Sequence, residues 1–379
     1  MAVVGAGVFG AWTAHHLLRD GARVALLDAH GPAHARASSG GETRLIRIGY
    51  GPHEQYSRWS LESLDAWREL EDETGQPLFD PTGVLWIGRA GDTYVRATRD
   101  TLRALDVAHE VLTRADLRRR FPQCRFDDAT WALLEPRSGA LFARRAVQAR
   151  VALDARGGLA VRRAAVEAPR HAGRGRRLAE VPLSDGSRVR AGGFVFACGP
   201  WLPRLFPRLL RGRIVPTRQE VFFFGTPAGD RRFGADALPA WIDFPGGVYG
   251  LPDLETRGVK LAFDRHGPAF DPERGSREVS PASVAAARRA LAARFPDLAR
   301  APLLGTRVCQ YENTSNGDFL IDRHPDFDNV WLVGGGSGHG FKHGPAVGAY
   351  AAGLVLAGGS PEPAFSLTTK QRMRARSVF

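Results

Sequence analysis

The feature that most constrains the fold is a glycine pattern at the amino terminus, where Gly5-Ala6-Gly7-Val8-Phe9-Gly10 follows the apolar pair Val3-Val4. A GxGxxG spacing between a strand and a helix is typical of a turn that holds a dinucleotide. The first glycine permits a tight turn, the second lets the backbone approach a pyrophosphate, and the third lets helix and strand pack closely. Residues 8–18 carry the apolar face of the helix that this pattern requires.

A second strand, over residues 23–27, leads to Asp28 and Ala29. This is close to the spacing expected for an acid that accepts hydrogen bonds from ribose hydroxyls. The alternative is that Asp28 only caps a turn. The first strand begins almost at the first residue, so an amino terminus lying further upstream stays open.

Composition restricts the class of protein. With 379 residues, 44% of them hydrophobic, the chain can bury a large core and is expected to form two domains. No apolar run is long enough to cross a bilayer, and no signal sequence opens the chain, so we expect a cytoplasmic protein without a membrane partner. Three scattered cysteines do not make a disulfide framework, and no cluster has metal-ligand spacing.

The net charge of +12 could indicate a nucleic-acid partner, a membrane surface or the attraction of anionic substrates. The basic clusters at residues 118–120 and 174–177 are short and lack interleaved aromatic residues. They match no nucleic-acid motif, so we interpret them as solvated faces and expect no nucleic-acid partner.

A buried strand is predicted at residues 195–197, and it ends in Cys198-Gly199-Pro200-Trp201. Strand ends of this kind commonly line nucleotide sites. Helices are predicted over residues 56–70, 101–111, 114–121, 146–155 and 283–295. Strands are predicted over residues 84–87, 159–165, 214–224, 247–251 and 259–263, and the last three indicate an antiparallel sheet.

Several charged residues can be interpreted in two ways. Residues 31–49 are expected to be loop-like, and the two arginines within them, Arg44 and Arg47, either point toward a ligand or are solvated. Lys260 lies in an otherwise apolar strand, where a lysine ordinarily faces solvent. His339 lies between glycines in Gly336-Ser337-Gly338-His339-Gly340, and we expect its backbone to matter more than its ring.

Six segments together resemble the monomeric sarcosine oxidase and N-methyltryptophan oxidase family, which belongs to the D-amino-acid-oxidase type of flavoprotein. They are GAGVFG, SSGGETRLIRIGYG, ACGPW, YGLPDLETRGVKLAFD, CQYENTSNGDFLIDRHP and GGGSGHGFKHGPAVG, in order over nearly the whole chain. The resemblance implies an α/β fold with a Rossmann-type FAD-binding domain and a second, α+β substrate domain built on a mixed or antiparallel sheet. We place the FAD-binding domain at residues 1–50, 140–205 and 305–379, and the substrate domain at residues 51–139 and 206–304.

The resemblance also assigns roles to residues. It implies a covalent thioether from Cys309 to FAD, an oxygen-activating role for Lys260, and Arg44 on the other side of the flavin. Arg47 and Lys342 would hold the substrate carboxylate, and Tyr249 and Tyr311 would wall the amine, so Lys260, Arg44, Tyr249 and Tyr311 form the expected catalytic set. The expected FAD contacts are Gly5, Gly7, Val8, Phe9, Gly10, Asp28, Ala29, Ser38, Ser39, Thr43, Arg44, Val166, Cys198, Gly199, Trp201, Cys309, Gly336, Gly338, His339, Gly340, Phe341 and Lys342.

Two positions depart from the family pattern. Members often carry a histidine where this chain has Gly40, and another active-site histidine falls on Asp264, with His266 two residues beyond. An added carboxylate at Asp264 would favour a cationic or larger amine, or would face solvent. The identity of the substrate is therefore open.

The function that the resemblance implies is oxidation of the C–N bond of a secondary amine, or of a cyclic or N-methyl amino acid with a free carboxylate. A hydride would pass to flavin N5, and O2 would reoxidise the flavin and give H2O2, in a monomer. The alternatives are a flavin-dependent D-amino-acid or 2-hydroxy-acid dehydrogenase with another electron acceptor, a nicotinamide-dependent dehydrogenase, and a non-catalytic protein that holds FAD and binds a partner.

Overall fold

The computed structural model describes residues 1–169 and 175–372. Its strands, in chain order, are β1 (Ala2–Val4), β2 (Ala25–Asp28), β3 (Arg44–Ile46), β4 (Phe79–Asp80), β5 (Val84–Gly88), β6 (Glu110–Thr113), β7 (Trp131–Glu135), β8 (Gly139–Leu141), β9 (Ala160–Arg163), β10 (Glu180–Pro182), β11 (Arg188–Arg190), β12 (Phe194–Phe196), β13 (Ile214–Phe224), β14 (Ala240–Asp243), β15 (Val248–Leu251), β16 (Val259–Phe263), β17 (Leu303–Thr314), β18 (Leu320–Arg323) and β19 (Val330–Gly334). Its α-helices are α1 (Val8–Arg19), α2 (Glu54–Thr74), α3 (Thr93–Ala104), α4 (Arg114–Arg120), α5 (Ala143–Arg156), α6 (Leu202–Leu205), α7 (Pro207–Leu210), α8 (Pro281–Arg294) and α9 (Gly344–Ala357).

The first sheet has the order β18-β19-β12-β1-β2-β9. All of its neighbouring strands are parallel except β18 and β19. The buried apolar strand β1 lies between β2 and β12, and α1 packs against α9 beside it. A parallel sheet with β1 leading through a glycine turn into α1 is the Rossmann arrangement that the sequence predicts.

The turn after β1 requires glycine. Gly5 has a φ of +102°, and a Cβ at this position would lie 2.4 Å from the carbonyl oxygen of Ala197. A larger residue would therefore force apart the ends of β1 and β12, which are neighbours in the sheet.

The second sheet has the order β17-β13-β16-β15-β14-β5-β7-β6 and is antiparallel except between β5 and β14. Successive residues of a strand point to opposite faces. On one face, Phe222, Phe224 and Leu261 pack in a hydrophobic core with Leu291 of α8. The other face is therefore free to carry polar side chains from β15, β16 and β17.

The fold class predicted from the sequence is confirmed, with one sheet largely parallel and the other largely antiparallel. The domain limits stay a prediction. The strand β17, which opens the last predicted FAD-binding segment, pairs along its length with β13 in the second sheet. Residues 373–379 of that segment, and Arg174 of the second basic cluster, lie outside the described residues.

The helix predicted over residues 101–111 is wrong. Helix α3 begins at Thr93 because the Asp92 side chain accepts hydrogen bonds from two backbone N–H groups of its first turn, and it ends at Ala104. Asp106 then takes a left-handed φ of +54°, and residues 110–113 form β6 against β7. Pairing with β7 overrides the helical pattern there.

Two smaller expectations also need correction. The segment expected to be loop-like contains β3, which pairs with β8, and β2 begins at Ala25 rather than at residue 23.

Among the described helices, none has the length and apolar character needed to cross a membrane. In the first basic cluster, Arg119 pairs with Asp116 and Arg120 with Glu110.

Candidate active site

A cavity of about 570 Å³ lies between the carboxyl ends of β1 and β2 and one face of the second sheet. This edge of a parallel sheet is where α/β proteins bind nucleotides. The predicted site residues that line it are Gly5, Gly7, Val8, Phe9, Asp28, Ala29, Ser38, Ser39, Arg44, Arg47, Val166, Cys198, Gly199, Trp201, Tyr249, Cys309, Tyr311, Gly336, Gly338, His339, Gly340, Phe341 and Lys342. Three predicted residues, Gly10, Thr43 and Lys260, lie outside this lining.

The nucleotide end of the cavity is built by the start of α1. The N-cap is Gly7, which offers no side-chain cap, and the first turn contains no acidic residue. The N–H of Val8 donates to Ser39 Oγ at 3.0 Å, which fixes the serine loop against the helix. A helix amino terminus without a capping anion is suited to a phosphate group.

Asp28 acts as a turn cap. Its Oδ2 accepts from the N–H of Ala6 at 2.8 Å, and its Oδ1 accepts from the N–H groups of His30 and Gly31 at 2.8 and 2.9 Å. The carboxylate also lines the cavity, and Oδ2, which accepts one hydrogen bond, keeps a second lone pair. Capping the turn and accepting from a ribose hydroxyl are therefore compatible, and the ribose role stays a prediction.

Sequence reasoning missed Glu312. Its side chain is buried, Oε1 lies 3.4 Å from the N–H of Gly336, and Oε2 has no hydrogen-bond partner among the described residues. Burial raises the pKa of this carboxyl to about 7. An orphan acid oxygen in the cavity wall is suited to a ligand with hydroxyl groups. Further lining residues that were missed are Trp86, Ile242, Phe244, His34, Arg204 and Glu273.

Arg44 and Cys309 meet in the middle of the cavity. Arg44 donates from Nη1 to the Thr43 carbonyl at 2.8 Å and from Nη2 to the Ser38 carbonyl at 2.6 Å. Its Nη2 lies 3.3 Å from Cys309 Sγ, and the cysteine is buried. The guanidinium, held by two carbonyls, thus keeps a fixed contact with the cysteine sulfur.

Lys260 lies just behind this part of the lining. Its Nζ donates to the Thr43 carbonyl at 2.8 Å and it is 2% exposed, so the strand-based expectation that it faces solvent is wrong. The strand alternates, and residue 260 points to the face that carries the site. Burial, together with the charge of Arg44, lowers the pKa of Lys260 to about 7.

A pair of buried cations lies at the other end of the cavity. The guanidinium of Arg47 lies 3.9 Å from the centre of the Tyr50 ring and 4.9 Å from that of Trp86. Lys342 Nζ donates to Tyr50 Oη at 2.6 Å and to the His339 carbonyl at 2.9 Å, and burial lowers its pKa well below the usual value. Within the described ranges, neither cation forms an ion pair with a carboxylate of the chain. The interpretation of Arg47 as solvated is therefore wrong.

A buried glutamate holds the turn that carries Arg47. Glu135 Oε1 accepts from Trp86 Nε1 at 2.6 Å and from the N–H of Gly49 at 3.0 Å, while Oε2 accepts from the N–H of Ile48 at 2.7 Å. Arg47 itself donates to the Gly49 carbonyl. The backbone after β3 is thus fixed before any ligand binds.

The tyrosine walls come from β15 and β17. Tyr311 Oη donates to Asp264 Oδ1 at 3.2 Å, and burial raises the pKa of Tyr249 to about 12. The Tyr311 ring lies against the glycine turn: a Cβ on Gly338, whose φ is +86°, would lie 2.7 Å from the ring. A side chain at residue 338 would therefore displace this wall of the cavity.

His339 contributes more than its backbone, which corrects the expectation from the sequence. Its Nδ1 lies 3.3 Å from Tyr50 Oη, and its Nε2 lies 3.1 Å from the Gly317 carbonyl. The neighbouring glycines shape the turn, as Gly338 does beside Tyr311, and the ring of His339 helps to orient Tyr50. No group of histidine, cysteine and acidic side chains in the described part of the chain could hold a metal ion.

Comparison with known proteins is consistent across sequence and structure. A family model described as FAD dependent oxidoreductase matches residues 1–354. Monomeric sarcosine oxidase of Bacillus sp. (strain B-0618) is 32% identical over 366 residues, covering 94% of this chain and 92% of the relative. N-methyl-L-tryptophan oxidase of Citrobacter koseri is 31% identical over 97% of this chain and 96% of its own length. The crystal structure of L-proline dehydrogenase from P. horikoshii superposes with a TM-score of 0.83 at 19% identity, covering 98% of each chain, which shows a shared fold.

Proposed function

This chain belongs to the family of FAD-dependent oxidoreductases, in the group of sarcosine and N-methyltryptophan oxidases, and on that premise we propose that it oxidises secondary amines that carry a free carboxylate. The proposed substrates are N-methyl or cyclic amino acids. The observation that carries the proposal is the buried pair Arg47 and Lys342, two cations that share one cavity with Cys309.

The carboxylate of the substrate would bind between these two cations. Arginine offers a planar fork to a carboxylate and lysine a point charge, so together they fix both position and orientation. Taking a carboxylate out of water is unfavourable unless such partners await it. Burial lowers the pKa of Lys342, and a bound anion would favour its charged form again.

The residues around the cavity fit FAD. The start of α1, which has no acidic residue in its first turn, suits the pyrophosphate, Asp28 suits a ribose, and the free Oε2 of Glu312 suits a hydroxyl-bearing chain. When bound, FAD would supply the hydride acceptor and the route of electrons to O2, giving H2O2. The side chains and backbone of the protein would then bind and orient FAD and the substrate and would supply charge.

A thioether between Cys309 and FAD is part of the proposal. Cys309 lines the cavity, is buried, and has the guanidinium of Arg44 3.3 Å from its sulfur. The sulfur is the atom of cysteine that forms a thioether, and the contact with Arg44 holds this sulfur at the cavity wall. These contacts support the linkage over an inert buried thiol.

Lys260 is proposed to favour O2 as the electron acceptor. A fixed ammonium in a water-poor site stabilises negative charge that develops on oxygen. Its neighbour Thr43 holds Nζ in place on the cavity side of β16.

We also propose that the protein acts as a monomer, as the names of several relatives say of those proteins. The cytoplasmic location stays a prediction.

The test is peroxide formation with two panels of substrates. We expect H2O2 with N-methyl and cyclic amino acids, and none with matched 2-hydroxy acids. Peroxide from the hydroxy acids would contradict the proposed substrate class. Reduction of a dye acceptor without peroxide would identify a dehydrogenase instead.

A further inference from the structure

One carboxylate in the cavity wall, that of Asp264, has no part in the proposed binding of FAD or of the substrate carboxylate. Asp264 follows β16, four residues after Lys260, and therefore points to the same face of the strand. Its N–H donates to the Gly247 carbonyl at 2.8 Å, which fixes the backbone, and its side chain lines the cavity. The position of this carboxylate is thus set by the fold.

One carboxylate oxygen of Asp264 accepts a hydrogen bond, and the other accepts none from the described residues. Tyr311 Oη donates to Oδ1 at 3.2 Å, and among the described residues no other side chain or N–H group donates to the carboxylate. Burial raises the pKa of Asp264, and the charges of Arg47 and Lys342 oppose that rise. A half-buried acid with a free oxygen is costly unless a ligand supplies a donor or a positive charge.

The charges at this end of the cavity make a dipolar receptor. Arg47 and Lys342 are the cations, Asp264 is the anion, and each cation interacts electrostatically with the acid without forming an ion pair within the described residues. A simple carboxylate would satisfy the cations and would be repelled by Asp264. A zwitterion would satisfy both signs.

We propose that Asp264 binds the protonated nitrogen of the substrate, so that the cavity selects zwitterionic amino acids over mono-anionic carboxylates of the same shape. This rests on the proposed function, because Arg47 and Lys342 must bind the carboxylate for Asp264 to face the nitrogen. The ion pair concerns recognition; the nitrogen loses its proton before the carbon bonded to it can deliver a hydride. Asp264 is thus a specificity-determining residue.

Two isosteric ligands test this inference. Trimethylammonioacetate and 3,3-dimethylbutanoate have the same shape and carboxylate but differ in one positive charge. Their dissociation constants are measured on the oxidised, FAD-loaded protein from changes in its visible spectrum. We expect wild type to prefer the ammonium ligand by about tenfold or more, and Asp264→Asn to lose that preference.

Asparagine keeps the size of aspartate and can still accept from Tyr311, so a loss of preference would report charge. As a matched control, Tyr311→Phe removes the hydrogen bond but keeps the carboxylate, and the preference is expected to remain. Equal ratios in wild type and Asp264→Asn would overturn the inference. If Asp264→Asn does not fold, the wild-type ratio decides: a ratio of one or below overturns it.

The same titrations separate this inference from the proposed function. Turnover of N-methyl amino acids together with an unchanged ligand ratio would remove the role of Asp264 and leave the oxidase. If the protein prefers the ammonium ligand because of Asp264 but turns over no amine, the inference about Asp264 stands and the proposed oxidase function fails.

Discussion

At the scale of residues, burial decides the chemistry of this site. Lys260 is a lysine in an apolar strand, and the sequence alone favours a solvated position. The structure places its ammonium against the Thr43 carbonyl, where burial and Arg44 lower its pKa to about 7. Which face of a strand is buried depends on strand pairing, and a single sequence does not state it.

Replacing Lys260 with methionine tests its role with O2. We expect the reaction of the reduced enzyme with O2 to slow by about a hundredfold or more, because a fixed cation no longer stabilises charge on oxygen. Binding of a carboxylate ligand is expected to change little. Stopped-flow measurement of the oxygen reaction makes the comparison.

The pH dependence of that reaction has a definite sign. A lowered pKa means that the ammonium is fully present only below about 7 and is lost as pH rises through that value. The oxygen reaction of wild type should therefore slow as pH rises, and that of Lys260→Met should be flat. A variant as fast as wild type would remove Lys260 from the oxygen reaction.

Cys309 offers a second test at this scale. Wild-type protein precipitated with acid is expected to keep its yellow colour in the pellet, because a thioether survives denaturation. In Cys309→Ala the colour should pass to the supernatant, while Cys124→Ala, in the apolar core beside α8, serves as the control and should retain it. Colour in the supernatant of the wild type would contradict the linkage.

At the scale of elements, alternation along three strands builds one wall of the site. Tyr249, Lys260 and Cys309 come from β15, β16 and β17, and strand pairing puts their side chains on a common face. The sequence predicted β13 and β16 with the bounds that the structure has. It could not predict their pairing, since β17 joins β13 across about eighty residues of intervening chain.

The turn after β3 is the element whose geometry is most closely fixed. Glu135→Gln should disturb it, because an amide cannot accept from Trp86, Ile48 and Gly49 as a carboxylate does. We expect KM for an N-methyl amino acid to rise about tenfold with a smaller change in kcat, since Arg47 then holds the carboxylate less well.

Glu110→Gln is the matched control for that change. Glu110 is exposed, and its side chain pairs with Arg120 rather than with the turn after β3, so its loss should leave KM unchanged. An unaltered KM in Glu135→Gln would mean that Arg47 keeps its position without the glutamate.

At the scale of the whole molecule, the two ends of the chain build one cavity. The amino-terminal glycine turn lines it at one end and Lys342 at the other. The local motifs predicted that both ends of the chain contribute to one site, and the resemblance of six segments predicted the family. Glu312 and Glu135 were missed because each acts through long-range contacts: an acid in a strand has no local signature before its partners are known.

The central claim is that this cavity oxidises a carboxylate-bearing secondary amine with FAD and returns the electrons to O2. The most direct measurement is the visible spectrum of the purified protein mixed anaerobically with N-methyl amino acids, and then exposed to air. We predict that the flavin band bleaches with the amine and recovers in air with formation of H2O2. A flavin band that no secondary amino acid bleaches would contradict the account.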